Sequence, residues 1–100
     1  MSNIVLVVKI KVKEEFVEEV YPFMKALHKL THELDAGCIQ YDLHKVKEQE
    51  GIFCFIETWE NQESLDAHMG KEHFKNFMEY SDGKIEDMKI DFLEKYVEEK

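Results

Sequence analysis

The sequence predicts an α+β domain running strand, helix, strand, strand, helix, strand, and three observations carry that expectation. Apolar, largely β-branched or aromatic residues crowd into short runs at residues 4–8 and 52–56, a strand's length rather than a helix's. Between those runs, Phe16, Val17, Val20, Met24, Leu27, Thr31 and Leu34 recur at the spacing of one helix face. Glycines at positions 37, 51, 70 and 83 punctuate the chain where one periodic segment gives way to the next.

The first strand is expected over residues 4–12, where Ile4 to Val8 is continuous and Lys9, Lys11 and Lys13 then alternate with Ile10 and Val12. A helix follows over residues 14–35. Pro22 lacks the amide N–H that a helix interior uses, so it costs one bond and bends the helix unless the helix starts close to it. Ala36-Gly37 ends the helix, as a left-handed cap would. Residues 39–46 and 52–59 make a hairpin around Lys47-Glu48-Gln49-Glu50-Gly51. Asn61 is a candidate N-cap for a helix that turns Leu65, His68 and Met69 inward before Gly70 interrupts it. A further helix over residues 71–81 buries Phe74, Phe77 and Met78, and Asp82-Gly83 turns the chain. Residues 88–97 form the last strand, with Ile90, Phe92 and Leu93 inward.

This order is the ferredoxin-like βαββαβ unit, in one domain over residues 1–100 with no repeat or linker. Its helices cover one face of the sheet, yet the first and third strands are apolar on both faces. A second copy of the chain is the economical cover, so the expectation is a homodimer whose sheets pack as a dimeric α/β barrel.

Composition narrows the function. A chain of 100 residues, 44% hydrophobic and 35% charged, has the make-up of a globular domain with a single core. The net charge of −9, with basic residues scattered among acidic ones, would repel a phosphate backbone, so no nucleic-acid partner is expected. All 13 basic residues are Lys, and the missing guanidinium fork disfavours a strongly anionic substrate. No apolar run approaches ~20 residues, so no membrane partner is expected. Met1-Ser2-Asn3 leads into a strand without a basic region or cleavage site, and a cytoplasmic location is the expectation. In the hairpin Cys38 faces a residue near Glu60 and Cys54 one near His44. That six-residue offset, roughly 20 Å at ~3.3 Å per residue, is too far for a disulfide.

Several residues could carry chemistry. Tyr41, Glu57 and Trp59 lie on neighbouring strands, and Phe53, Phe55, Glu57 and Trp59 share one face. A carboxylate on that aromatic face is unusual; the ordinary reading is a charge that escapes at the sheet edge or pairs with a Lys. His68, one turn after Leu65, is either a base in a pocket or a core histidine bonded to a backbone carbonyl. His73, beside Phe74, either lines the same cavity or caps a helix. His28 and His32 stand four apart, as metal ligands can, but no third ligand is evident, so they are assigned to a solvated face and no metal or other cofactor is expected. His44 is expected to be exposed.

The order Gly37-Cys38, Tyr41, Glu57-Thr58-Trp59, Leu65-Asp66-Ala67-His68 and His73-Phe74 resembles the antibiotic biosynthesis monooxygenase family, in particular its small quinol monooxygenases, over essentially the whole chain. The resemblance implies the dimeric barrel again. It also implies a cofactor-independent monooxygenase acting on a small aromatic, quinol or polyphenol-like substrate with molecular oxygen. His68, Tyr41 and Trp59 then form the catalytic set, with His68 as base or proton shuttle. His73, Phe74, Phe23 and Glu57 contact substrate, His73 as a donor and the phenylalanines, with Trp59, as walls. An isomerase or a non-catalytic small-molecule-binding protein on the same scaffold is the alternative. Haem degradation, known in another branch of the superfamily, is disfavoured by Val7, His68 and Met78 at the places where that branch has Asn, Trp and His.

Overall fold

A computed structural model describes residues 3–94 and 96. Strand β1 is Ile4–Val12, helix α1 Val17–Leu34, strand β2 Cys38–Lys45, strand β3 Ile52–Trp59, helices α2 Gln62–Met69 and α3 Glu72–Ser81, and strand β4 Ile85–Leu93. The four strands form one antiparallel sheet in the order β2-β3-β1-β4. This is the ferredoxin-like βαββαβ arrangement, its second helical crossover split in two at Gly70.

The helix expected from residue 14 opens with a short 3₁₀ turn, Glu14–Phe16, before α1 begins. Pro22 then lies in the second turn of α1, where its missing N–H removes one helical bond without ending the helix. The last strand begins three residues earlier than expected and ends at Leu93; Val97 lies outside the described residues. Asn61 caps α2 as expected, its side-chain oxygen accepting from the Ser64 amide at 2.8 Å.

Strand register decides which residues meet the helices. Leu6, Val8 and Ile10 pair with Glu57, Phe55 and Phe53 on one side and with Phe92, Ile90 and Met88 on the other, so these side chains share the face that the helices cover. Across it, α1 lays Val20, Met24, Leu27 and Thr31, all buried, and Leu65 and Phe77 join from α2 and α3. Ile90 and Phe92 point to this face but stay 50% and 61% exposed, because β4 is an edge strand. Leu93 does not join them: it pairs with Val5 and belongs to the opposite face. Among the described residues, no element packs on that second face, where Val5, Val7, Cys54 and Ile56 are only half-buried.

Gly37 sets how the layers meet beside the first crossover. Its φ of +82° lies in the left-handed region, and a Cβ there would come within 2.1 Å of Ser64 Oγ. The connection from α1 to β2 thus lies directly against the start of α2, and this close approach puts the end of α1 next to His68.

Candidate functional site

The helix-covered face opens into a cleft of about 100 Å³ between sheet and helices. Its wall is aliphatic and aromatic apart from three titratable side chains, Tyr41 from β2, Glu57 from β3 and His68 from α2. The strands bring the first two together, because Tyr41 and Glu57 are direct cross-strand partners. The Tyr41 and His68 rings stand edge to face with centroids 5.2 Å apart. Phe74 closes on the other side of His68 at 5.1 Å, and Met69 and Met78 line the cleft while remaining well exposed.

Behind His68 lies a residue that sequence reasoning missed. Asp35, the residue that ends α1, is buried, and its Oδ2 receives His68 Nδ1 at 2.5 Å. His73 Nε2 approaches the other carboxylate oxygen at 2.9 Å, without the alignment of a hydrogen bond. One signal in the sequence did point to Asp35. The C-terminal end of a helix carries partial negative charge, so a carboxylate there is out of place unless a donor or cation faces it.

Burial lowers the His68 pKa, Asp35 pulls it back up through the hydrogen bond and its charge, and His73 adds a further lowering. The ring is therefore neutral near pH 7. Its Nδ1–H donates to Asp35, which leaves Nε2 as the basic nitrogen of a side chain that lines the cleft. Glu57 has neither of the escapes expected of it. It is 4% exposed, and among the described residues its one side-chain hydrogen-bond partner is the Trp59 indole, Nε1 donating to Oε1 at 2.9 Å. Burial pushes its pKa up to about 7, against the downward pull of that bond. Tyr41 is pushed up chiefly by burial and then by the Glu57 charge, so its hydroxyl stays protonated as a donor. Burial and the charges of Asp35, Glu57 and Asp42 raise Cys38 to about 11, which removes it as a thiolate nucleophile.

Three expected site residues stand elsewhere. Trp59 is fully buried behind the cleft, holding Glu57 and packing on His68 at 4.7 Å between ring centroids. His73 neither lines the cavity nor caps a helix; its side chain is buried against Asp35. Phe23 is not a wall of the cleft. One residue away from Met24, it is rotated off the core-facing stripe of α1, and it stacks on Tyr80 of α3 at the surface with ring centroids 3.7 Å apart. His28 and His32 are not simply a solvated face either. The fold brings Asp42 of β2 beside them, with one ligating atom of each of the three within 4.8 Å of the others.

The model of the antibiotic biosynthesis monooxygenase family matches residues 3–80. The chain belongs to this family. Solved structures agree in fold. A protein of Pseudomonas aeruginosa is 28% identical, with 97% of each chain covered and a TM-score of 0.89. A conserved protein of Methanosarcina mazei is 30% identical, over 95% of this chain and 94% of its own, with a TM-score of 0.84. A protein named as an antibiotic biosynthesis monooxygenase is 23% identical, over 94% of this chain and 99% of its own; its TM-score of 0.86 speaks for the fold alone. No curated protein matches the chain. Among the described residues, no helix is long and apolar enough to cross a membrane.

Proposed function

We propose that this family member is a cofactor-independent monooxygenase that oxidises a small aromatic, quinol or polyphenol-like substrate with molecular oxygen. The observation that carries the reading is the cleft itself. An apolar box of ring size holds a histidine whose Nδ1–H is tied to a buried carboxylate, with a protonated phenol and a carboxyl of pKa about 7 beside it. His68 Nε2 takes a proton from the substrate, and the resulting anion passes an electron to oxygen. The radicals recombine, one oxygen atom stays on carbon and the other leaves as water. Hydroquinone plus O₂ giving hydroxyquinone plus water balances without any outside reductant. Tyr41 donates to the substrate oxygen, Glu57 relays protons, and the apolar walls keep bulk water from the intermediates.

The working unit of this reading is a homodimer, supported by the apolar stripe of Val5, Val7, Cys54 and Ile56, which is only half-buried among the described residues. Light scattering at micromolar concentration should give twice the mass of the chain; the mass of one chain would remove the dimer. The chemistry is tested by oxygen uptake with hydroquinone and chelator-treated protein. Turnover with no flavin, nicotinamide or metal added is the expected result. Activity that needs any of the three would refute the reading.

A further inference from the structure

His28, His32 and Asp42 lie outside the cleft and serve no purpose in the chemistry above. They bring two imidazoles and a carboxylate together from two consecutive elements, α1 and β2. We infer that they form a binding site for a divalent transition-metal ion of the zinc type, which clips α1 to the edge strand β2.

Donor chemistry limits the ion. Two nitrogens and one oxygen suit borderline cations such as Zn²⁺, whereas Ca²⁺ and Mg²⁺ call for oxygen throughout. Two histidines four apart on one helix face are neighbours, and here their ring centroids are 4.5 Å apart. The ligating atoms lie within 4.8 Å of one another. A tetrahedral centre with bonds of ~2.0 Å would draw them to about 3.3 Å. None of the three side chains is fully buried, so small rotamer changes can supply that contraction. Water would complete the shell.

Two of the ligands are braced from behind. His32 Nε2–H donates to the Tyr41 carbonyl at 2.6 Å, which fixes the tautomer and leaves Nδ1 with its lone pair free. Asp42 Oδ2 accepts from Gln40 Nε2 at 3.0 Å, and Gln40 Oε1 in turn accepts from Thr58 Oγ1 at 3.0 Å. Among the described residues, no hydrogen bond joins any two of the three ligands, so their donor atoms are not spent on one another. Orientation of a ligating imidazole by a backbone carbonyl, and of a carboxylate by an amide, is how metal sites hold their ligands.

The test is calorimetric titration of the full chain, stripped with chelator, against Zn²⁺, with thermal unfolding followed in parallel. One ion per chain with micromolar or tighter affinity, and a higher Tm in its presence, is the expected result. His28→Ala and Asp42→Asn should each weaken binding at least tenfold, and Gln40→Ala more mildly. His73→Gln, in the buried set around Asp35, should leave the affinity unchanged. Circular dichroism confirms that each variant is folded, and any that is not is replaced by His32→Gln. No saturable binding at 100 μM Zn²⁺ overturns the proposal. So does affinity insensitive to His28→Ala and Asp42→Asn, or affinity abolished by His73→Gln. Oxygen uptake plays no part in this test, so its outcome is independent of the proposed reaction.

Discussion

The fold builds two clusters from the same parts, two histidines and an aspartate, and burial separates what each can do. In Asp35, His68 and His73 all three side chains are at most 7% exposed, and the carboxylate has closed on the imidazoles at 2.5 and 2.9 Å. A carboxylate removed from water must find donors: Oδ2 takes the His68 N–H, Oδ1 faces His73 without a hydrogen bond, and His68 keeps one basic nitrogen on the side that meets the cleft. In His28, His32 and Asp42, solvent reaches the residues, and the partners of His32 and Asp42 are bonds from outside the cluster. There the donor atoms stay available to a cation. A list of residue types would have treated the two clusters as equals; whether each carboxylate is buried against its own histidines or braced from outside tells them apart.

The largest effect that would break this distinction is on turnover. His68→Ala should lower oxygen uptake about 10²-fold, as loss of a general base does, while the chain still folds. Full activity in a variant that unfolds several degrees earlier would make His68 a core group and move the search for a base to Glu57. Asp35→Asn should lower turnover less, roughly tenfold. Because Asp35 raises the His68 pKa, its loss should also move the acid limb of the pH–rate profile to lower pH. An unmoved limb would show that Asp35 does not act through His68.

Glu57 sharpens the contrast through stability. Its pKa rises from 4.5 unfolded to about 7 folded, so the folded state holds a proton that the unfolded chain has released. The cost is absent below pH 4.5, grows as pH rises, and is complete above about pH 7. At ~1.4 kcal/mol per tenfold change it comes to about 3–4 kcal/mol. Glu57→Gln keeps the acceptor for the Trp59 indole and should therefore stabilise the chain by up to that amount at pH 8 and scarcely at all at pH 4.5. Denaturant unfolding at the two pH values measures this, and an equal effect at both would mean that Glu57 is ionised without penalty. The smallest effect belongs to the exposed cluster: in metal-free buffer His28→Ala should change unfolding free energy by no more than about 0.5 kcal/mol. A loss of several kcal/mol would mean that the pair supports the fold itself rather than a ligand.

Local pattern carried most of the architecture. The β-branched run of β1, the 3.6-residue recurrence along α1 and the alternation of Phe53, Phe55, Glu57 and Trp59 each depend on neighbours within a few residues, where backbone geometry determines which side chains share a face. The separation of the two cysteines also followed from the hairpin alone; Cys38 pairs with Trp59 and Cys54 with His44. The weakest element was β4, an edge strand whose charged alternation leaves its limits poorly marked.

The chemistry was only half legible in the chain. Local pattern put Tyr41 and Glu57 on neighbouring strands and turned His68 inward on its helix, because strand and helix periods set those directions. Packing of the layers settled that Asp35 holds His68, that Asp42 joins His28 and His32, and that Phe23 leaves the cleft for Tyr80. The first of these contacts joins residues 33 positions apart, with the β2–β3 hairpin between them. It depends on how closely the α1–β2 connection lies against α2, a distance set by Gly37 on Ser64 rather than by any local propensity. Helix and strand periods specify direction within an element. Burial, which turns a carboxylate into a partner for a base or leaves it free for a cation, is a property of packed layers and has no local signature.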